Sequence, residues 1–210
     1  MNEKKIGIRR RLRELEQPRL PDEDRRSERS LDAILNATIE LVLSNGWQGL
    51  TIDGIAARAK VGKQTIYRWW PSKGAVLFDA AMAGGFAWPD FPETDDFQAD
   101  LRSAVRNLVA EFSQPSFSAL MRVLLVGAQE DRELARKVDG FISDEPVRTT
   151  ISRIERAAVE GQLDVSVDPS GLADLIFGAV FRRWLLGTGK LDFEFADAIA
   201  AMATKAAGPA

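Results

Sequence analysis

The 210-residue chain contains no cysteine and no histidine. Without cysteine there are no disulfides and no thiolate nucleophile. Without histidine there is no imidazole base, and the two absences together remove the usual zinc ligand sets. Carboxylate chemistry stays open in principle, but pairs such as Asp95-Asp96 and Glu130-Asp131 stand in no catalytic pattern and read as solvated surface. No catalytic residue, metal site or cofactor is expected, and the chain is not read as an enzyme. No uninterrupted apolar run approaches the ~18–20 residues of a membrane span. No charged segment followed by an apolar core opens the chain as in a signal peptide. A cytoplasmic protein with no membrane partner is the expectation.

What is present is an ordinary globular balance, 45% hydrophobic and 28% charged residues, in a chain long enough to bury a sizeable core. The net charge of −3 conceals an asymmetry. Residues 1–75 carry 15 Lys/Arg against 10 Asp/Glu, and the remainder is acidic. A basic front on an acidic body suits a polyanion met by one end of the molecule, although uneven surface charge alone has the same appearance.

The stretch from Thr51 to Lys73, TIDGIAARAKVGKQTIYRWWPSK, organises the rest. Ile52, Ile55, Ala56 and Ala59 fall on one face at helical spacing, with Thr51 placed as N-cap and Asp53 in the first turn. Ala59-Lys60-Val61-Gly62 breaks the pattern. A second short helix is expected from Lys63 to Trp70, with Ile66 and Trp70 inward and Lys63, Gln64, Tyr67 and Arg68 outward. Pro71 ends it, because the residue before a proline avoids helical geometry. Helix, turn and helix with long polar side chains outside is what a major-groove reader needs. Lys63 and Gln64, at the start of the second helix, suit base edges: Gln for adenine, Lys for guanine. Thr65, Tyr67, Arg68 and Trp69 suit phosphate, sugar or a thymine methyl, and Lys73 opens a fourth helix whose N-terminus suits a phosphate.

This stretch resembles the DNA-binding region of TetR-family transcriptional repressors. VGKQTIYRWWPSKGAV carries the resemblance, which runs in order and spacing from Ser30 to Ala80 and continues more weakly to the C-terminus. In that family the positions matching Thr51, Tyr67 and Lys73 touch the DNA backbone. Two departures stand out: the family usually has glycine where Lys60 stands and serine where Gly62 stands. A left-handed lysine would cost about 1 kcal/mol, whereas glycine caps nearly as well as serine.

The expected fold is all-α, in three parts. Residues 1–26 form a charged arm, with Pro18 and Pro21 opposing packing and Arg9–Arg13 suited either to DNA or to a solvated tail. Residues 27–82 form a helix-turn-helix DNA-binding domain, whose first helix runs from Glu28 to Ser44 and stops at Asn45-Gly46. Trp47 and Leu50 then pack back. Residues 83–210 form a helical ligand-binding and dimerisation domain, opened by the Gly84-Gly85 break. Its stripes are Phe97-Leu101-Val105-Leu108-Phe112, Leu120-Leu124-Val126, Leu134-Val138-Phe141 and Val147-Ile151-Ile154-Ala158, and an apolar helix spans 169–187.

The last helix is apolar over more of its circumference than one core face needs. Leu172, Leu175, Ile176, Ala179, Val180, Arg183 and Leu186, with Gly178 allowing close backbone approach and with Ile151, Ile154 and Ala158 of the preceding helix, are the expected dimer face, while Phe177, Phe181 and Trp184 face the core. The competing reading is a helix buried in one subunit, and the resemblance favours the dimer. Phe86, Trp88, Phe97, Phe112, Phe117, Met121, Phe141, Phe177, Phe181 and Trp184 supply an apolar lining, with Arg122, Gln129 and Arg182 as polar anchors, which reads as core or as a pocket for a small apolar or amphipathic ligand. The resemblance implies the pocket. The expected partners are a double-stranded DNA operator, a second copy of the chain and a small ligand that releases the operator. The alternative is a regulator of the same fold that acts without a ligand or as an activator.

Overall fold

A computed structural model describes residues 22–85 and 87–208. Residues 1–21, which hold most of the expected arm including Arg9–Arg13, and Phe86 of the expected lining lie outside the described residues. Among the described residues every regular element is helical, and no helix is long and apolar enough to cross a membrane.

Helix α1 (Asp22–Gly49) is followed by α2 (Ile52–Ala59), α3 (Lys63–Tyr67) and α4 (Lys73–Ala83). It starts earlier than the expected Glu28, so residues 22–26 of the expected arm are helical. Its regular path breaks where the Asn45-Gly46 pair predicts: Gly46 has φ 65° and ψ −170°, open to glycine without strain. Next come α5 (Phe97–Ser113), α6 (Pro115–Ala128) and α7 (Arg132–Asp139), which runs on through a π-helical turn (Gly140–Asp144) into α8 (Glu145–Val159). The chain closes with α9 (Pro169–Leu186) and α10 (Phe193–Ala207). Helix α10 has no counterpart among the expected helices. Its buried side chains are the alanines 196, 200, 203 and 207, a helical spacing that small side chains mark only weakly.

The chain divides into two compact units. Among the described residues, one takes in those up to Ala87 together with Val123–Val138, so the end of α6 and nearly all of α7 pack with the helices expected to read DNA. Its core is Ile34, Val42, Trp47, Leu50, Ile55, Ile66, Trp70, Val76, Leu77, Leu124 and Leu134, each at most 5% exposed. Thr38 is buried among them and donates its hydroxyl to the Ile34 carbonyl at 2.8 Å, which satisfies the group inside its own helix.

The other unit holds Trp88–Arg122 and Asp139–Ala210. Here α5 packs along α10, and α9 packs against α8, α10 and α5. Asp197 of α10 accepts paired bonds from two guanidiniums of α5, Arg102 (2.9 and 2.9 Å) and Arg106 (2.6 and 2.6 Å). Their bonds hold its carboxyl well below the usual carboxylate range.

Candidate nucleic-acid interface

The turn between α2 and α3 fixes the exposed face of the reader. Thr51 caps α2 by accepting the Gly54 N–H at 3.0 Å. The helix ends at Lys60, which stands at φ 56°, ψ 43° and is the one non-glycine residue with positive φ among the described residues. Its N–H returns to the Ala56 and Ala57 carbonyls, closing the helix in the left-handed manner usually left to glycine. Gly62 then caps α3 in an extended conformation with no side-chain bond. Regular helix ends at Tyr67 rather than at the expected Trp70, but the Arg68 and Trp70 N–H groups still reach the Gln64 and Ile66 carbonyls, so the outward face carries on in register.

On that face Lys63, Gln64, Tyr67, Arg68 and Trp69 are exposed, while Ile66 is fully buried and anchors the helix. Thr51 is exposed at the near end of α2, and Thr65 is half-buried. Arg68 lies over the Trp69 ring at 5.4 Å, which pre-orders both groups. Lys63 is drawn toward Asp53 of α2 at 2.5 Å, and the carboxylate's hydrogen bond and charge raise the ammonium above its ordinary pKa. Lys73 is turned inward: its Nζ donates to the Trp47 carbonyl at 3.1 Å and lies 4.1 Å from that ring's centroid. An ammonium has three N–H donors, so two remain for a phosphate.

The reader is tied to residues far along the chain. The Trp47 indole N–H donates to Glu130 at 2.9 Å and the Gln48 amide to the same carboxylate at 2.7 Å. Asp131 accepts the Ser72 hydroxyl and the Gly74 N–H at the start of α4, and the Glu133 and Leu134 N–H groups at the start of α7 (3.0 and 3.1 Å). Burial pushes its carboxyl up, yet these bonds outweigh burial and hold it below the ordinary value. Glycine at 74 permits this, since a Cβ there would lie 2.5 Å from Asp131 Oδ2. Asp79 of α4 joins Trp70, at the end of the reader (2.8 Å), to Lys137 of α7 (3.0 Å). The Glu130-Asp131 pair is thus not idle surface. Nothing in its local sequence pattern could have shown this, because the partners that tie it to the reader lie more than fifty positions away.

In the other unit most of the expected pocket residues do meet. Phe112 contacts Phe117, Phe181, Trp184 and Trp88 at centroid distances of 4.9 to 5.7 Å, and Trp88 reaches Phe141 and Phe177 at 5.7 and 6.1 Å. Met121 is fully buried. Arg122 stacks on Trp184 at 4.5 Å and donates to the Trp184 and Leu185 carbonyls, which caps the end of α9. Phe97 stands apart, with Phe91 and Arg153.

Part of the expected dimer face is placed differently. Ile154, Leu172, Ile176 and Val180 are at most 5% exposed within one protomer, because α9 is covered by α8, α10 and α5. Ile151, Ala158 and Ala179 are half-buried. Arg183 is held by the Lys190 carbonyl at 3.1 Å and by the Phe195 ring at 3.7 Å. Of the expected face, Leu175, Gly178 and Leu186 do stand on the open side of α9, joined by Leu185, and the open side of α10 carries Ala198 and Met202.

Known proteins share this arrangement. The TetR-family model of bacterial regulatory proteins matches residues 34–80, and the tetracyclin repressor-like C-terminal domain model matches residues 91–203. YdeS of Bacillus subtilis, an uncharacterized HTH-type transcriptional regulator, is 31% identical over 77% of this chain and 81% of its own length. The DNA-binding transcriptional repressor TetR of Mycobacteroides abscessus is 25% identical over 81% of this chain and 89% of its own length. The crystal structure of the TetR-family regulator SCO0332 superposes with a TM-score of 0.64 at 29% identity, covering 86% of this chain and 99% of that one. With both domain models matched in order and the helix-turn-helix lying within the first, the chain belongs to the TetR family of helix-turn-helix transcriptional regulators.

Proposed function

We propose that this regulator is a homodimeric repressor of a palindromic operator, released from it by a small molecule. The observation that carries the reading is the outward face of α3, where Lys63, Gln64, Tyr67 and Arg68 stand exposed on a helix anchored by the fully buried Ile66. Gln64 reads a base edge in the major groove. Lys63 exchanges Asp53 for a base or phosphate. Thr51, Thr65, Tyr67, Arg68, Trp69 and Lys73 hold the backbone on either side.

One such helix covers only a few base pairs, so a second copy supplies the other half-site, one or more turns (~34 Å each) away. The two-fold contact uses the open apolar side of α9 and α10. Leu175 is 69% exposed, Leu186 62% and Met202 59%, around Gly178, where an added Cβ would meet nothing within 4 Å. Large side chains left open around a small residue suit close helix-to-helix packing across a dyad. The aromatic cluster around Phe112, with Phe117, Met121, Arg122, Phe141, Phe177, Phe181 and Trp184, supplies the ligand site. A ligand that favours a conformation with the wrong spacing between the two readers lowers operator affinity by its differential affinity for the two states.

The test is fluorescence anisotropy on DNA flanking the protein's own gene, at fixed salt. Tight binding of a palindrome, weakened at least tenfold by Tyr67→Ala and relieved by a compound bound in the second unit, is the expected result. Unchanged affinity of the Tyr67 variant would remove the assigned reader. Operator binding that no small molecule weakens would instead favour a regulator acting without a ligand.

A further inference from the structure

Arg153 of α8 is buried, with 1% of its side chain exposed, and so is its partner Asp100 of α5, with 2%. The guanidinium nitrogen Nη2 donates to Asp100 at 2.7 Å and to the Thr94 carbonyl at 2.9 Å. Among the described residues Nε and Nη1 meet no hydrogen-bond partner. Of the five N–H donors of a guanidinium, three are therefore left over. The Phe97 ring lies 5.3 Å from the guanidinium carbon, but a ring serves the cation's face and not the N–H groups at its edge. Buried donors of a cation that meet no acceptor are among the costliest groups a protein interior holds.

The carboxylate side of the pair is complete. Asp100 accepts the Thr94 N–H at 2.8 Å, the Thr94 hydroxyl at 2.7 Å and the Arg153 bond. Burial pushes its carboxyl up, but these bonds prevail and keep it below the ordinary range, so it stays an anion that balances Arg153. The pair lies beneath an irregular strap. Thr94 is exposed, yet its N–H, hydroxyl and carbonyl all point to the pair. Glu93 is latched to Arg156, one turn beyond Arg153, at 3.1 Å, and the Phe91 ring lies against Phe97 at 6.4 Å.

We propose that Arg153 is the polar anchor of a ligand site beneath the strap of residues 91–94, and that the group it takes is an uncharged hydrogen-bond acceptor, a carbonyl oxygen, on a flat and otherwise apolar molecule. Donors without acceptors call for oxygen lone pairs. The charge is already balanced by Asp100, so a carboxylate would leave one net negative charge in the interior, and desolvation selects against it. The rings of Phe91 and Phe97 suit an apolar body. The site is distinct from the aromatic cluster around Phe112, which stands fifteen positions further along α5, roughly 22 Å at 1.5 Å per residue. The inference rests on the ligand-responsive reading given above.

Equilibrium dialysis of the full-length protein with three probes of one shape tests it: 2-acetonaphthone (a neutral ketone), 2-naphthoate (the carboxylate) and 2-isopropenylnaphthalene (the hydrocarbon). The ketone is expected to bind saturably and at least tenfold more tightly than either of the others. That preference should vanish in Asp100→Asn/Arg153→Met, which removes both charges together, and in Arg153→Lys, which keeps the cation but loses Nε and Nη1. Equal affinity for the three probes, tightest binding of the carboxylate, no saturable binding of the ketone, or a preference that survives both variants overturns the proposal. The wild-type ranking needs no variant to fold. Operator release is read in a separate titration. Release by the ketone that persists in the variants removes the anchor and keeps the ligand-responsive reading. Arg153-dependent binding without release keeps the anchor and shows that this site does not control the operator.

Discussion

Trp47 and Glu130, 83 positions apart, are joined by a 2.9 Å hydrogen bond from the indole N–H to the carboxylate. The same ring stacks under the Lys73 ammonium, and its backbone carbonyl accepts from that ammonium. The end of α1, the start of α4 and the turn before α7 therefore meet at one tryptophan, and the reader lies between the first two in the chain. A carboxylate far along the chain thus braces the residues on either side of the helix-turn-helix.

Glu130→Ala should weaken operator binding several-fold while leaving the outward face of α3 intact. The lost bonds to Trp47 and Gln48 are worth about 1 kcal/mol each, enough to loosen the support without unfolding it. Anisotropy at constant salt reads the effect. Gly127→Ala should do more, because its Cβ would lie 2.6 Å from Trp47 Cε3 and 2.7 Å from Leu134 Cδ2. Overpacking of that kind costs about 1–3 kcal/mol, visible as a lowered melting temperature.

Asp53 restrains Lys63, so removing the carboxylate should free a cation for the polyanion. Asp53→Asn is expected to strengthen DNA binding and to steepen its salt dependence, and Lys63→Ala to reduce the slope of log K against log salt by about one. Titrations at several salt concentrations separate these outcomes. An unchanged slope in Lys63→Ala would show that this side chain stays with Asp53 on the DNA.

Asp131 and Asp100 both have folded-state pKa values below the ordinary one. Each contributes stability that is fully present above the unfolded value, about 3.9, and is lost as pH falls through the lower folded value. Acid melting curves should therefore drop for the wild type below about pH 4. Asp131→Asn should flatten that limb and lower stability near neutral pH. A variant with an unchanged acid limb would mean that the Ser72, Gly74, Glu133 and Leu134 bonds do not depend on the charge.

Lys60 bears the left-handed turn that glycine would bear without strain. Lys60→Gly should stabilise the protein by up to about 1 kcal/mol, partly offset by the greater freedom of glycine in the unfolded chain. Thermal melting reads the balance, and a lower melting temperature would show that the lysine side chain stabilises the turn in some other way.

Leu175→Asp and Leu186→Asp should convert a dimer to a monomer in sedimentation equilibrium and abolish binding to a full palindrome. Leu172→Asp, by contrast, should unfold the protomer, because Leu172 is 5% exposed in a single chain. A dimer that survives both surface substitutions would place the two-fold axis elsewhere.

Much of this was readable in advance, and the reason is range. Caps, turns and helix faces depend on residues three or four positions apart, so Thr51, the break at Lys60, the anchor Ile66 and the stop at Gly46 are all set locally. The polar face of α3 follows from the same spacing. Helix α10 escaped because its core face is alanine, which marks a helix by propensity more than by contrast.

The sequence by itself determined which helices form and which side of α3 faces outward, since backbone hydrogen bonding and side-chain periodicity are properties of neighbouring residues. Only the tertiary structure decided which of the two apolar faces of α9 is spent inside the protomer, which acidic pair supports the reader, and that Arg153 is buried with donors to spare. Burial and pairing are set by what the rest of the chain brings up against a residue, and those partners lie tens of positions away.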